Sequence, residues 1–146
     1  MKRTTILLAE DHEMVREGLR KILGLEVDFE VIGEAKDGRE AVQLAKKLAP
    51  AVLVMDLAMP LLNGWEAARR VLESKPTVRV LILSAHGETV YVRRAVEAGV
   101  AGFVLKQNSL WDLCAAIRTV AAGASFLYPR FQVDKGGSVV LPKIIE

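Results

Sequence analysis

Carboxylates, a hydroxyl and an amine follow four of the apolar runs in this 146-residue chain, at the points where those runs end. They are Glu10 and Asp11 after the first run, Asp56 after the third, Ser84 after the fourth and Lys106 after the fifth. Three carboxylates brought together raise one another's pKa values unless a cation neutralises them. Because no His or Cys stands at ligand spacing, the oxygens suit Mg²⁺ better than zinc or copper. The residue types therefore indicate a magnesium site.

The amine and the hydroxyl extend this chemistry toward phosphate. Lys106 can balance the charge of a phosphoryl group that arrives between it and the metal ion, and Ser84 can donate a hydrogen bond to a phosphoryl oxygen. Positioning and charge neutralisation supply most of the catalysis in phosphoryl transfer. We therefore predict a phosphoryl-transfer site at the ends of these runs.

Five strand–helix units must position the site, because short apolar runs alternate with stretches of helical period. The predicted strands are residues 4–9, 30–34, 51–55, 78–83 and 102–105. Strands that are apolar throughout are typical of a parallel sheet covered by helices on both faces. We predict a doubly wound, five-stranded α/β fold with five helices. In the flavodoxin-like order 2-1-3-4-5, the polar residues meet at the topological switch point.

Local signals place the helices between these strands. The first helix is expected to turn one apolar face inward, made by Val15, Leu19, Ile22 and Leu23. Asp37 is predicted to cap the second helix and Ser109 the fifth, because side-chain oxygens there can accept hydrogen bonds from the first free N–H groups.

Composition excludes several classes of protein. The chain is 51% hydrophobic and 26% charged with a formal net charge of +2, so it can bury a core and lacks a basic arm for DNA. Its single cysteine, Cys114, cannot form an internal disulfide, and no apolar run approaches the roughly 20 residues of a membrane span. We expect a soluble cytoplasmic protein that binds neither DNA nor membrane directly.

Four segments at the predicted strand ends resemble the receiver domain of two-component response regulators, nearest to the NarL/LuxR-type subfamily. They are Ile6-Leu7-Leu8-Ala9-Glu10-Asp11-His12 with Val15-Arg16-Glu17-Gly18-Leu19, Asp56-Leu57-Ala58-Met59-Pro60 with Gly64, Leu83-Ser84-Ala85, and Ala98-Gly99-Val100-Ala101-Gly102-Phe103-Val104-Leu105-Lys106. Each motif alone is weak, but four in order are specific. The resemblance implies a receiver domain over residues 1–124 and a linker or tail over 125–146, with no output domain.

The resemblance also implies the chemistry of the site. Asp56 would accept a phosphoryl group from a sensor histidine kinase, assisted by Ser84 and Lys106. The implied Mg²⁺ ligands are all oxygen donors: Asp11, Asp56, the backbone carbonyl of Ala58, and Glu10 directly or through water. Glu10 stands where Asp is commoner in the family, which can alter the metal geometry.

A conformational switch is a further implication of the resemblance. The hydroxyl of Ser84 would move toward the phosphoryl group, and the ring of Phe103 would turn inward into the vacated space. For Phe103, ordinary core packing is the competing interpretation. The switch would alter a face made by the fourth helix, fifth strand and fifth helix, which would bind a partner or a second copy of the chain. Candidate contacts on that face are Tyr91, Arg94 and Arg118.

Three other functions fit parts of the pattern. A Mg²⁺-dependent phosphatase with an aspartyl nucleophile would carry a second acid two residues after Asp56, where Ala58 stands. A degenerate receiver that only binds proteins would have lost an acid or the lysine, and a flavodoxin-like carrier would need a Gly/Ser/Thr-rich phosphate loop after the first strand. We therefore expect a signalling phosphoacceptor that is not an enzyme, and that serves transcription regulation when joined to a DNA-binding domain.

Ordinary roles account for the remaining reactive and aromatic side chains. His12 and His86 are predicted not to be metal ligands, because neither belongs to a spaced ligand set. Cys114 is predicted to pack in the interior. Trp65 and Trp111 are each predicted to cover a loop from the first turn of a helix.

Overall fold

The computed structural model describes residues 2–59, 61–85, 89–107 and 110–127, together with the backbone of residues 132–133 and 139–140. Within these residues the strands are β1 (Thr4–Ala9), β2 (Phe29–Ala35), β3 (Val52–Asp56), β4 (Arg79–Ser84), β5 (Gly102–Leu105), β6 (Phe126–Leu127), β7 (Gln132–Val133) and β8 (Val139–Val140). The helices are α1 (Glu13–Leu23), α2 (Gly38–Leu48), α3 (Gly64–Ser74), α4 (Thr89–Glu97) and α5 (Leu110–Ala121). None of these described helices is both long and apolar enough to cross a membrane.

Six strands form one parallel sheet in the order β2-β1-β3-β4-β5-β6, and β7 pairs with β8 in an antiparallel ribbon. The predicted doubly wound α/β fold with the order 2-1-3-4-5 is confirmed. Strand β6 is an addition, in which Phe126 pairs with Gly102 and Leu127 with Phe103 of β5. A strand of two residues is too short to show a period in the sequence, which is why the pattern did not predict it.

Alternate residues of each strand pack on opposite faces of the sheet. Leu7 and Ala9 of β1 join buried residues of α2, α3 and α4 on one face. Ile6 and Leu8 join Leu23 of α1 and buried residues of α5 on the other face. Since burying one large aliphatic side chain contributes roughly 1.5–3 kcal/mol, these two cores fix the strands and therefore the loops that follow them.

Two helices begin at side-chain caps. The carboxylate of Asp37 accepts a hydrogen bond from the N–H of Glu40 at 2.8 Å, which confirms the predicted cap of α2. The side-chain oxygen of Asn63 caps α3 in the same way, through the N–H of Glu66 at 3.0 Å. The predicted cap of α5, Ser109, lies outside the described residues.

Helix α1 buries less of its apolar face than the sequence predicts. Leu23 is buried and Leu19 and Ile22 are half-buried, but Val15 is 44% exposed. Val15 lies in the first turn of α1, whereas the buried and half-buried apolar residues Leu19, Ile22 and Leu23 lie in its later turns. The prediction that Val15 faces inward was therefore wrong.

Candidate functional site

The carboxyl ends of β1, β3 and β5 bring two acids and an amine into contact. The Nζ of Lys106 lies 3.1 Å from Oδ2 of Asp56 and 3.4 Å from Oε1 of Glu10. Glu10 and Asp56 are almost completely buried, with 1% and 5% of their surfaces exposed. Asp56 lies 50 positions and Glu10 lies 96 positions before Lys106 in the sequence. The change in strand order at β1 and β3 brings both acids next to the Lys106 amine.

A third carboxylate and a hydroxyl complete the described part of this cluster. One ligand atom from each of Glu10, Asp11, His12 and Asp56 can be chosen so that all four lie within 4.8 Å of one another. Ser84, at the end of β4, is buried and lines the same cavity as Asp56. The structure therefore brings together every acid that the sequence assigned to the site.

Backbone contacts hold the two acidic loops in position. After β1, the N–H of Glu10 donates to the carbonyl of Ala35 at 3.0 Å, and the Arg16 guanidinium donates to the Glu10 carbonyl at 2.8 Å. After β3, the N–H of Gly64 donates to the Leu57 carbonyl at 3.0 Å. A Cβ at Gly64 would lie only 2.9 Å from the Leu57 Cα, so this close approach of α3 requires glycine.

The buried charges shift one another's titration. The pKa of Glu10 is raised from 4.5 to about 7; burial is the largest cause, the neighbouring Asp56 carboxyl also raises it, and Lys106 opposes the shift. Burial lowers the pKa of Lys106, but its contacts with Asp56 and Glu10 outweigh that effect and leave it raised. Lys106 therefore stays protonated and cannot by itself neutralise three acids.

Two buried carboxylate oxygens in the cluster are placed to bind a cation. Within the described part of the chain, Oε2 of Glu10 and Oδ1 of Asp11 are buried and make no hydrogen bond. Together with Asp56 they form an all-oxygen donor set of the kind that Mg²⁺ prefers. The Nδ1 of His12 lies 3.3 Å from Oε1 of Glu10 and 3.4 Å from Oδ1 of Asp11. The residues present therefore fit a magnesium ion.

Burial of the Glu10 carboxyl beside Asp56 makes the stability of the fold depend on pH. Because the pKa of Glu10 is higher in the folded state than its ordinary value, the native protein binds more protons than the unfolded chain, and stability falls as the pH rises from about 4.5 to about 7. Without metal, Glu10→Gln is expected to stabilise the fold above pH 7 by roughly 1–3 kcal/mol, with no gain below pH 4.5. Denaturant unfolding at several pH values measures this, with Glu30→Gln on exposed β2 surface as control. A gain that is independent of pH would contradict the electrostatic account.

Two aromatic residues that the sequence interpretation assigned elsewhere line the cavity at Asp56. The cavity has a volume of about 380 Å³, and its walls include Asp56, Ser84, Lys106, Trp65 and Tyr91. Trp65 was predicted only to cover a loop. An aromatic residue in the first turn of the helix that follows the acidic loop was the available sequence signal.

Phe103 and Cys114 lie in the interior, whereas Arg118 lies elsewhere than the sequence predicts. Phe103 is fully buried in the core beneath α4, which is compatible with both of its interpretations, and the prediction that Cys114 packs inside is confirmed. Arg118 does not lie on the predicted α4–β5–α5 face. Its guanidinium binds Asp28 at 2.8 Å and 2.9 Å and stacks on Phe29, because this side of α5 faces the loop between α1 and β2.

Trp111 and His86 are the last two residues to which the sequence assigned a role. Trp111 is 79% exposed, so the prediction that it covers a loop was wrong. His86 lies outside the described residues.

Comparison with known proteins gives consistent matches over this part of the chain. The family model for the response regulator receiver domain matches residues 6–118. The transcriptional regulatory protein DegU of Brevibacillus brevis is 38% identical over 125 residues, which are 86% of this chain and 53% of DegU. The chain thus spans about half the length of this curated relative.

Solved structures agree with the sequence matches. The signal receiver domain of NarL from Mycobacterium tuberculosis is 34% identical with a TM-score of 0.81, over 84% of this chain and 99% of that one. The isolated receiver domain of RcsB from Salmonella enterica serovar Typhimurium, solved with the phosphomimetic BeF₃⁻, is 26% identical with a TM-score of 0.78. That match covers 86% of this chain and 94% of the RcsB chain.

Proposed function

The chain belongs to the response regulator receiver domain family, and on that premise we propose that Asp56 accepts a phosphoryl group from a sensor histidine kinase. Members of this family are signalling phosphoacceptors rather than enzymes that turn over a metabolite. Asp56 is the proposed acceptor, and Lys106 and Ser84 are the proposed contacts of the phosphoryl oxygens. We place this reaction in the cytoplasm.

The observation that carries the proposal is the position of the Asp56 carboxylate between an amine and a cavity. Its Oδ2 contacts the Nζ of Lys106 at 3.1 Å, while the side chain also lines the cavity of about 380 Å³. Since a water molecule occupies about 30 Å³ of liquid, this volume can admit a phosphoryl group. A buried carboxylate that faces open space beside a fixed cation is suited to receive an anionic group.

The proposed transfer makes one bond and breaks one. An oxygen of Asp56 bonds to phosphorus while the bond from phosphorus to the kinase's histidine nitrogen breaks, and its electron pair stays on that nitrogen. Lys106 balances the negative charge of the phosphoryl oxygens, and Ser84 donates a hydrogen bond to one of them. Bound Mg²⁺ would neutralise the remaining charge. Its proposed ligands are Glu10, Asp11, Asp56 and the backbone carbonyl of Ala58.

We propose that the output travels through the surface made by α4, β5 and α5. Ser84 ends β4 and pairs with Leu105 of β5, and Phe103 lies two residues earlier on β5, so a movement of Ser84 acts directly on that strand. Tyr91 and Arg94 of α4 are the proposed contacts for a partner or a second copy of the chain. Because DegU is a transcriptional regulatory protein, we propose that the whole protein serves transcription when a DNA-binding domain is attached.

Beryllofluoride with Mg²⁺, standing in for the acyl phosphate, tests this switch. The similar RcsB receiver domain was solved with this phosphomimetic. We expect amide chemical shifts to change across residues 89–106, with Phe103 among them, and the sedimentation coefficient to rise as dimers form. Moving most of the population requires several kcal/mol of differential affinity, so the change is large enough to measure.

Lys106→Ala is the matched variant for this experiment. It should bind Mg²⁺ almost as the parent does, because the acids are unchanged, but it should lose the remote shift changes with the counter-ion. Shift changes confined to the surroundings of Asp56 in the parent protein would contradict the switch and favour a simple phosphoryl shuttle.

A further inference from the structure

An aromatic pair bridges α3 and α4 beside the acidic cluster. The rings of Trp65 and Tyr91 stack with their centroids 6.1 Å apart and their planes 18° apart. The guanidinium of Arg94, one helical turn after Tyr91, lies over the Trp65 ring at 5.1 Å from its centroid. Two residues of α4 thus hold one indole of α3 in a defined orientation.

The held indole forms a wall of the cavity that contains Asp56. Asp56, Ser84 and Lys106 form a polar side of this cavity, and Trp65 and Tyr91 are aromatic members of its lining. Both aromatic side chains line the cavity and are half-buried, so part of each is also exposed to solvent. An indole offers one N–H donor and no acceptor, so it cannot take a proton from a water molecule.

The reaction that water can perform in this cavity is the hydrolysis of phosphorylated Asp56. The oxygen of water would form a bond to phosphorus while the bond from phosphorus to the Asp56 oxygen breaks. The electron pair of the broken bond stays on the carboxylate, and the proton of water passes to the released phosphate. The rate depends on how often a water molecule reaches the phosphorus atom, which the cavity walls determine.

We propose that Trp65, held in place by Tyr91 and Arg94, limits the access of water to phosphorylated Asp56 and so sets the lifetime of the signalling state. This inference rests on the proposed phosphorylation of Asp56 and adds the residues that determine its duration. A cavity of about 380 Å³ has room for a phosphoryl group and for water, so the walls of the cavity determine from which side a water molecule can reach the phosphorus atom.

The test measures the decay of the phosphorylated protein. Each variant is phosphorylated with acetyl phosphate and Mg²⁺, the donor is removed, and intact-protein mass spectrometry follows the loss of the phosphoryl group. Trp65→Ala is expected to decay about five- to tenfold faster than the parent, whereas Trp65→Phe, which keeps an aromatic wall, stays within about twofold. Tyr91→Leu, which removes the stacking partner of Trp65, should also lose the phosphoryl group faster than the parent. If Trp65→Ala does not fold, the decay rate of Tyr91→Leu tests the inference instead.

The second tryptophan of the chain provides a matched control. Trp111 is 79% exposed on α5 and is not among the residues that line the cavity, so Trp111→Ala should decay at the parental rate. Parental decay rates in folded Trp65→Ala and Tyr91→Leu would overturn the inference while the proposed function stands. Failure of the parent protein to take up a phosphoryl group would instead overturn the proposed function, and this inference with it.

Discussion

Asp56→Asn is expected to abolish phosphorylation of the protein by acetyl phosphate. Asparagine keeps the shape of the side chain, but its amide is not a nucleophile that can form an acyl phosphate. Loss of the nucleophile should lower the rate by at least roughly 10³-fold, as the removal of nucleophiles does in other group-transfer sites. Intact-protein mass spectrometry in the presence of Mg²⁺ measures the added phosphoryl group directly.

A matched Asp-to-Asn change tests whether the effect belongs to the site. Asp28 lies in the loop between α1 and β2, where its carboxylate binds Arg118. Asp28→Asn should therefore be phosphorylated at the parental rate. Phosphorylation of Asp56→Asn at that same rate would contradict the assignment of Asp56 as acceptor.

Asp11→Ala is expected to weaken Mg²⁺ binding roughly a hundredfold and to slow phosphorylation with it. Oδ1 of Asp11 is one of two buried carboxylate oxygens without a hydrogen-bond partner among the described residues, so its removal takes away a prepared ligand. Titration with Mg²⁺, followed by the fluorescence of Trp65 in the cavity wall or by calorimetry, measures the affinity.

A second variant at Asp11 tests whether its side-chain oxygen acts as a metal ligand. Asp11→Asn keeps one ligand oxygen and should show an intermediate loss of affinity. An unchanged Mg²⁺ affinity in Asp11→Ala would place the metal away from this cluster. It would leave unexplained why the buried Oε2 of Glu10 and Oδ1 of Asp11 make no hydrogen bond within the described residues.

The fold and the acidic cluster were predictable because they depend on strong, regular patterns. Apolar strands that alternate with amphipathic helices allow few topologies, and connection rules reduce them further. Once the order 2-1-3-4-5 is adopted, the ends of β1, β3, β4 and β5 must meet, and so must Glu10, Asp56, Ser84 and Lys106. The contact of Lys106 with both acids agrees with that expectation.

Side-chain orientation was the part that the sequence could not determine. Arg118 was expected on the α4–β5–α5 face, but the rotation of α5 turns it toward Asp28 and Glu26. The stacking of Trp65 on Tyr91 depends on the distance between α3 and α4, which is a tertiary quantity that no period in the sequence encodes. The hydrophobic period of one helix predicts which side of that helix is buried, but not which side chains of two helices touch each other.

Chemical trapping identifies which residue of the unmodified protein is phosphorylated. The protein is treated with acetyl phosphate and Mg²⁺ and then with borohydride, which reduces an aspartyl phosphate to homoserine, and peptide mass spectrometry locates the change. We expect homoserine at position 56 and at no other aspartate. Reduction at Asp11, or a phosphoryl group found on a histidine or serine with position 56 unchanged, would contradict it.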